Sequence, residues 1–501
     1  MGRQQISAVA LAVALGGATC WATPAFAQTA GGSAVTQEDL AAMRAQMTAM
    51  AQRITSLEAQ LAAAKQVPGS PQLAASAPAM AAPAQSAAPA QVAVAPSGPA
   101  APQAAPAAGA SSGQSLPAQV AKAASGIRIR GYTQVRFNEI VSGDKDAPAG
   151  RSRLRSVHDG SIGPDSNFFI RRLRLVFQGD LGHGVSFYLQ PDFAAAVNSQ
   201  SVGERRDNYL QLRDAYVDVA LDKAHRLKLR VGQSKIPFGW ENLQSSGNRV
   251  PLDRSDAMNS AVPSERDLGV VAYYTPTHVQ QIWDDLEHQG QKLFGNYGAF
   301  GAGVFNGQGV NRPERNESVM SVAMATWPFR LDGIGLDGQV LEVGGAVLHN
   351  KVRPEVRAGG VTEANFEEHR VGLHAILYPK PFGIQAEWNF GKAPEFDTAS
   401  QAIQLKKASG GYVMAMYRIA HFGGGTLIPY ARWERYKGGW KAAVNAPRLD
   451  TNDIELGVEW APIKPLELTL AYARMKRAEA DERRSGQAEG DVLRAQLQWN
   501  Y

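Results

Sequence analysis

Cations recur at alternate positions along this chain: Arg128, Arg130 and Arg136, then Arg172 and Arg174, then Lys228 and Arg230. In an extended strand this spacing puts each set on one face. A guanidinium grips phosphate or carboxylate oxygens through two parallel N–H bonds and keeps its charge at any relevant pH. Along a narrow wall of low dielectric, such groups concentrate anions. The chemistry on offer is anion binding or anion passage. The competing use of each cation is an ion pair with acids in the same interior phase: Asp192, Asp214, Asp218, Glu434 or Glu459.

Catalytic and cofactor chemistry finds little support. A G-x-G-x-x-G run at Gly333–Gly338 precedes a strand pattern and opens no helix, so it does not read as a dinucleotide site. P-loop, H-E-x-x-H and G-x-S-x-G patterns are missing, and the nine histidines have no metal-ligand spacing. The single cysteine, Cys20, excludes a disulfide framework and a Cys-based zinc site. No cofactor and no enzyme activity are expected. With 51 basic and 46 acidic residues, the balance is too even for a protein that coats nucleic acid.

The elements that must position the cations fall in four regions. Residues 1–27 have the form of a secretory signal: Arg3, then an Ala/Val/Leu run, then Ala25-Phe26-Ala27 before the cleavage point. A lipoprotein signal ending at Cys20 is the alternative, although Gly17-Ala18-Thr19 lacks the usual leucine. Residues 36–65 predict a coiled-coil helix, since Leu40, Met43, Met47, Met50, Ile54, Leu57 and Leu61 step by three and four. It would be roughly 45 Å long, and a single amphipathic helix packed on its own barrel is the other reading. Residues 66–125 hold ten of the 28 prolines and almost no charge, which predicts an extended Ala/Pro-rich linker.

From residue 126 to 501 the hydrophobic period becomes two. Leu173, Leu175 and Phe177 alternate with Arg172, Arg174 and Gln178; Leu493, Leu497, Trp499 and Tyr501 alternate with Arg494, Gln496, Gln498 and Asn500. Strands are expected near 127, 168, 184, 209, 226, 267, 296, 318, 339, 368, 382, 411, 426, 452, 465 and 491. An even sixteen, with short turns alternating with long loops, predicts an all-β, 16-stranded antiparallel transmembrane β-barrel, preceded by the coiled coil and linker. No apolar run after the N-terminus is long enough for a spanning helix. A stack of soluble antiparallel sandwiches would give the same alternation. Against it stands the closing strand with a terminal aromatic, Tyr501, which resembles the C-terminal sorting signal of Gram-negative outer-membrane barrels.

Five segments carry a closer resemblance: FIRRLRLVFQGDLGHGVSFYLQPDF from Phe169, LRDAYVDV from Leu212, LRVGQSKIPFGWENLQSSGN from Leu229, PLDRS from Pro251 and RDLGV from Arg266. In order and spacing they resemble the phosphate-selective porin O/P family over roughly 126–501. The resemblance implies a homotrimeric anion pore in the Gram-negative outer membrane, with the coiled coil in the periplasm. It assigns Arg171 and Arg172 to the constriction, Asp214 to a strand aspartate there, Arg230 to a strand lysine and Arg254 to a basic residue of the following loop. Arg128, Arg130 and Arg174 complete the expected pore set. Strict alternation puts Arg171 and Arg172 on opposite faces, so a bulge is needed for both to reach the pore. One departure stands out: where family members carry a lysine after Phe-Gly-x-Glu, this chain has Asn242. That predicts a looser hold on phosphate, unless Lys235 supplies the charge.

The expected function is passive diffusion of small anions, phosphate or oligophosphate (pyrophosphate included) first among them, across a lipid bilayer. A less selective pore for organic anions or other small solutes, or an envelope tether with a closed barrel, is the alternative.

Overall fold

Inside a bilayer, a strand can satisfy its backbone only through neighbours, and closure removes the edges. The chain follows that rule. The computed structural model describes residues 126–145, 152–157, 161–195, 209–295 and 297–501. The expected signal peptide, coiled coil and linker lie outside the described residues.

Sixteen strands run in chain order: β1 Ile127–Gly143, β2 Asn167–Gly182, β3 Val185–Ala195, β4 Tyr209–Ala220, β5 Leu227–Lys235, β6 Arg266–Tyr274, β7 Phe300–Phe305 and β8 Met320–Arg330. Then come β9 Val340–Val352, β10 Phe366–Leu377, β11 Phe382–Asp397 and β12 Ala402–Tyr417, which continues past Arg418 as Ile419–Phe422. The last four are β13 Gly425–Gly439, β14 Arg448–Ile463, β15 Leu466–Ala480 and β16 Ser485–Asn500. Each pairs antiparallel with its sequence neighbours, and β1 pairs with both β2 and β16, so the sheet closes.

At the seam, Tyr132 to Gly143 face Asn500 to Gly490, and Gly131 exchanges two backbone bonds with Tyr501, of 2.6 and 3.0 Å. A Cβ on Gly131 would lie 2.5 Å from the Tyr501 ring and from the Arg174 carbonyl oxygen. Only glycine leaves room for the last residue to close the ring.

The usual inside-out distribution of a soluble protein is reversed. Leu373, Ile454, Leu456, Leu470 and Leu493 are exposed on the outer face, while Arg136, Arg172, Arg230 and Arg370 are among the largest fully buried side chains. This is the pattern of a lipid-facing wall around a polar interior. One rim has mostly short turns, such as 183–184, 423–424 and 464–465. The other has long connections, including 144–166, 306–319 and 353–365.

Among the described residues, the β1–β2 connection packs Leu154 and Ile162 on inward-facing Ile140, Ala473, Met475, Ala488 and Val492, and two other connections reach across the interior. The first, 236–265 between β5 and β6, holds the short helices α1 (Trp240–Leu243) and α2 (Asp256–Ala261). The Ser255 hydroxyl caps α2 by accepting from the Met258 N–H. Phe238, Trp240, Leu243, Leu252 and Met258 give this segment an apolar side, and all are buried. Its polar groups reach far walls: the Gln134 amide donates to the Ser246 carbonyl at 3.0 Å, and the Gln498 amide to the Gly247 carbonyl at 3.0 Å.

The second is 275–299, on the short-turn rim, with α3 at Thr277–His288. Val279, Trp283 and Leu286 form its buried face, packed on Val340, Ile376 and Tyr378. The Trp283 indole donates to Glu342 at 3.0 Å, and Lys292 bonds Glu459 and Glu467, each at 2.9 Å, on strands β14 and β15 half-way round the barrel from β6 and β7. The segment therefore crosses the bore.

Candidate functional site

The register between β1 and β2 explains how two successive arginines share one side. Gln134 faces Arg172 and Val135 faces Ile170, which leaves Arg171 as the extra residue of a β-bulge. Both guanidiniums turn inward, each 3.5 Å from Asp253 of the 236–265 segment. Arg136 of β1 and Arg494 of β16 approach the same carboxylate at 2.7 and 2.6 Å. Four arginines from three strands converge on one aspartate. Burial alone would push the Asp253 carboxyl up, but the guanidiniums of Arg136, Arg494, Arg171 and Arg172 hold it well below the usual carboxylate range.

A second cluster is built on Glu265, at the end of the same segment. Arg249 lies 3.2 Å from its carboxylate, Arg254 3.4 Å, Lys235 3.5 Å and Arg213 3.9 Å, and Arg266 forms a short charged contact. Glu265 is fully buried, and against that burial Lys235, Arg254, Arg266 and Arg249 keep its carboxyl well below the ordinary range. Arg266 also donates to Asp214 at 2.8 Å. A second bulge repeats the device of the first. Gln190 faces Asp214 and Pro191 faces Leu212, so Arg213 is the extra residue, and Arg213 and Asp214 both turn inward.

The remaining expected residues are spread along the wall. Arg174 bonds Asp192 at 2.7 Å, the Ser246 hydroxyl at 2.8 Å and the Tyr132 hydroxyl at 3.0 Å. Arg230 forms a two-point pair with Asp218, at 2.7 and 2.8 Å, under the ring of Tyr216. Arg130 and Arg128 are exposed near the short-turn rim, with Arg130 3.4 Å from the Gln178 amide oxygen. From Arg128 to Arg136 the rise along β1 is roughly 27 Å. Arg171, Arg172 and Arg254 thus gather at the inward segment, Asp214 joins them through Arg266, and Arg128, Arg130 and Arg230 stand apart from it. Of the acids that share the interior phase, Asp192, Asp214, Asp218, Glu434 and Glu459 each sit in an ion pair, with Arg174, Arg266, Arg230, Arg432 and Lys292 in turn.

Asn242 is fully buried. Its amide oxygen accepts a short hydrogen bond from Arg254, and its nitrogen donates to the Ile236 carbonyl at 2.8 Å. The Lys235 ammonium donates to the Asn242 carbonyl at 2.9 Å and the Gln244 carbonyl at 2.7 Å. Here the amide helps lock the base of the segment.

Not all donors are spent. Among the described residues, Nε and Nη2 of Arg172, Nε and Nη2 of Arg254, and Nε and Nη1 of Arg249 make no hydrogen bond. Beside Asp253 a cavity of about 30 Å³ brings Arg254, Arg432 and Arg494 together with Glu434, Asp453 and Glu455. Its walls carry both signs.

Sequence reasoning missed Asp253, Glu265, Arg213 and Arg249 as members of the site. Arg494 had a visible signal, its interior phase on the last strand. The counter-ions had none, because they come from a segment without periodicity.

Residues 152–501 match the family model described as phosphate-selective porin O and P. No curated protein sequence matches the chain. Among solved structures, the chain is similar to an anion-selective porin from Comamonas acidovorans at 13% identity, covering 75% of this chain and 99% of that one, with a TM-score of 0.43. Salmonella typhi OmpF in complex with daunomycin matches at 12% identity over 75% and 97%, TM-score 0.46. Pseudomonas putida OprB in its high-pH structure matches at 11% identity over 77% and 96%, TM-score 0.44.

Proposed function

The chain belongs to the phosphate-selective porin O and P family, and from that premise we propose that this outer-membrane channel for small solutes passes small anions by diffusion, with a modest preference rather than a tight phosphate filter. The observation that carries the reading is the convergence of Arg136, Arg171, Arg172 and Arg494 on the single carboxylate of Asp253. Four guanidiniums outnumber the one carboxylate on which they converge, and guanidiniums grip anion oxygens through paired N–H groups. An arriving anion meets several guanidiniums in a confined space, where screening is incomplete.

Phosphate or oligophosphate as the preferred solute is the finer expectation, supported by the Arg171–Arg172 pair in its Phe-Ile-Arg-Arg setting. Two features favour the less selective reading, which admits organic anions and other small solutes. Glu265 already faces five cations, and the cavity beside Asp253 mixes arginines with carboxylates. We assign the working unit as a homotrimer, with residues 36–65 as a periplasmic coil tethered by 66–125. No catalytic step is involved.

The test is single-channel recording on the purified full-length protein in chloride, phosphate, pyrophosphate and an organic anion. Expected are a reversal potential on the anion side in a salt gradient and block of chloride current only at millimolar phosphate. Block at micromolar phosphate establishes the tight filter instead, and a cation-side reversal potential sinks the anion reading altogether.

A further inference from the structure

The outer face of the wall carries a line of basic side chains, remote from the bore. His349 on β9, His369 on β10, Lys392 on β11 and Lys407 on β12 are direct partners in register from strand to strand. At about 4.8 Å per strand the line is roughly 14 Å long. All four side chains point outward, since their neighbours Leu348, Arg370, Ala393 and Ala408 are buried. The two histidine rings stack with centroids 4.5 Å apart and Nδ1 atoms 3.1 Å apart. Lys392 and Lys407 form no ion pair among the described residues, although Lys351 pairs with Glu367 at 3.8 Å one step above the line.

The height of this line is informative. The next row toward the short-turn rim is Val347, Val371, Phe390 and Ser409, and the one after is Gly345, Leu373, Trp388 and Gly411. Below the line the wall is apolar; Phe390, Leu373 and Val347 are exposed there. The line sits at the upper boundary of the apolar band, on the side of the long connections, which in such barrels is the outer leaflet. An uncompensated ammonium at that level meets lipid headgroups.

We propose that His349, His369, Lys392 and Lys407 form a docking surface for the phosphate groups of an outer-leaflet glycolipid, whose acyl chains lie on the apolar rows beneath. Charge complementarity and the abrupt change to apolar residues one step below select this occupant. Two lysines present ammonium groups to the phosphate oxygens, and the histidine pair offers ring N–H groups beside them.

The experiment titrates a fluorescent bis-phosphorylated glycolipid into the full-length protein in zwitterionic micelles, with the same lipid after phosphatase treatment as a second probe. Wild type binds the phosphorylated form more tightly, and inorganic phosphate does not displace it. Lys392→Gln with Lys407→Gln weakens binding about thirtyfold, which is about 2 kcal/mol at 1.4 kcal/mol per tenfold, and Lys392→Arg with Lys407→Arg restores it. Equal binding of the two lipid forms by wild type overturns the proposal without any variant. So does unchanged affinity in the glutamine variant, or displacement by inorganic phosphate. Loss of the oligomer with lipid affinity intact makes the line a contact between copies, which also overturns it.

Discussion

On the lumenal face, Arg136, Arg230 and Arg266 each lie against a carboxylate, whereas on the outer face of the same wall Lys392 and Lys407 meet none among the described residues. The backbone is the same antiparallel sheet and the side chains alternate with the same period. What differs is the medium each charge faces. Inside, these arginines are almost fully buried, and a buried cation without a partner costs several kcal/mol. The segment that constricts the bore therefore brings Asp253 and Glu265 with it. Outside, a lysine at the edge of the apolar band stays hydrated and needs no internal partner. Pairing follows burial, and basic residues serve two purposes across the thickness of one sheet.

The sharpest way to break this comparison is to remove an inner counter-ion. Glu265→Gln leaves Arg213, Lys235, Arg249 and Arg254 facing a neutral amide in a fully buried site. It should cost about 3–5 kcal/mol, seen as a lower unfolding temperature of the folded band and as noisier, larger conductance from a loosened segment. Wild-type stability in this variant would mean that the cluster is more hydrated than its burial implies.

Asp253→Asn should cost less, about 2–3 kcal/mol, because its site borders a cavity that admits water. It adds one positive charge to the lumen, so the reversal potential in a salt gradient should move further toward anions. The opposite shift would show that Asp253 holds the arginines in their conducting geometry.

Arg171→Ala with Arg172→Ala removes two charges from the bulge, and the reversal potential should move toward cations by some tens of percent of its range. No change in the single and double variants would place selectivity with Arg174, Arg230 or the exposed Arg128 and Arg130.

The smallest effect is expected at Asn242. Simple substitution logic has Asn242→Lys strengthening phosphate block. The buried amide instead accepts from Arg254 and its backbone carbonyl holds Lys235, so a third cation at that point displaces Arg254 rather than meeting solute. Block by phosphate should change less than about threefold, roughly 0.6 kcal/mol; a tenfold gain would show that the side chain reaches the pathway.

Much of the wall was legible because a strand buried on one side writes its period into the sequence. Fifteen of the sixteen expected strand positions fall on or within two residues of observed strands, the one near 296 lies four residues before β7, and the bulge needed to bring Arg171 inward is present at that residue. Arg213 escaped the same logic, since nothing in Leu-Arg-Asp-Ala marks the extra residue. The interior was harder. Trp240, Leu243, Leu252 and Met258 follow neither a helical nor a strand period over a useful length, so a connection folded into the bore reads like one lying on the rim. The counter-ions were beyond reach for a related reason. Arg494 and Asp253 are 241 residues apart, and only the closed ring brings them together.

That ring closes with its last strand, and this gives the molecule a direction in time. Until β16 arrives, β1 and β15 each present a free edge, and Asp253 lacks one of its four arginines. Pairings across such a separation form late, because the intervening chain must be ordered first. An insertion apparatus that handles this protein has to shelter two unpaired edges until the C-terminal residues are in place, with Tyr501 docking over Gly131 as the final act. Closure of the wall and completion of the Asp253 cluster are then the same event, so a half-built barrel has neither a sealed wall nor its full set of arginines around Asp253.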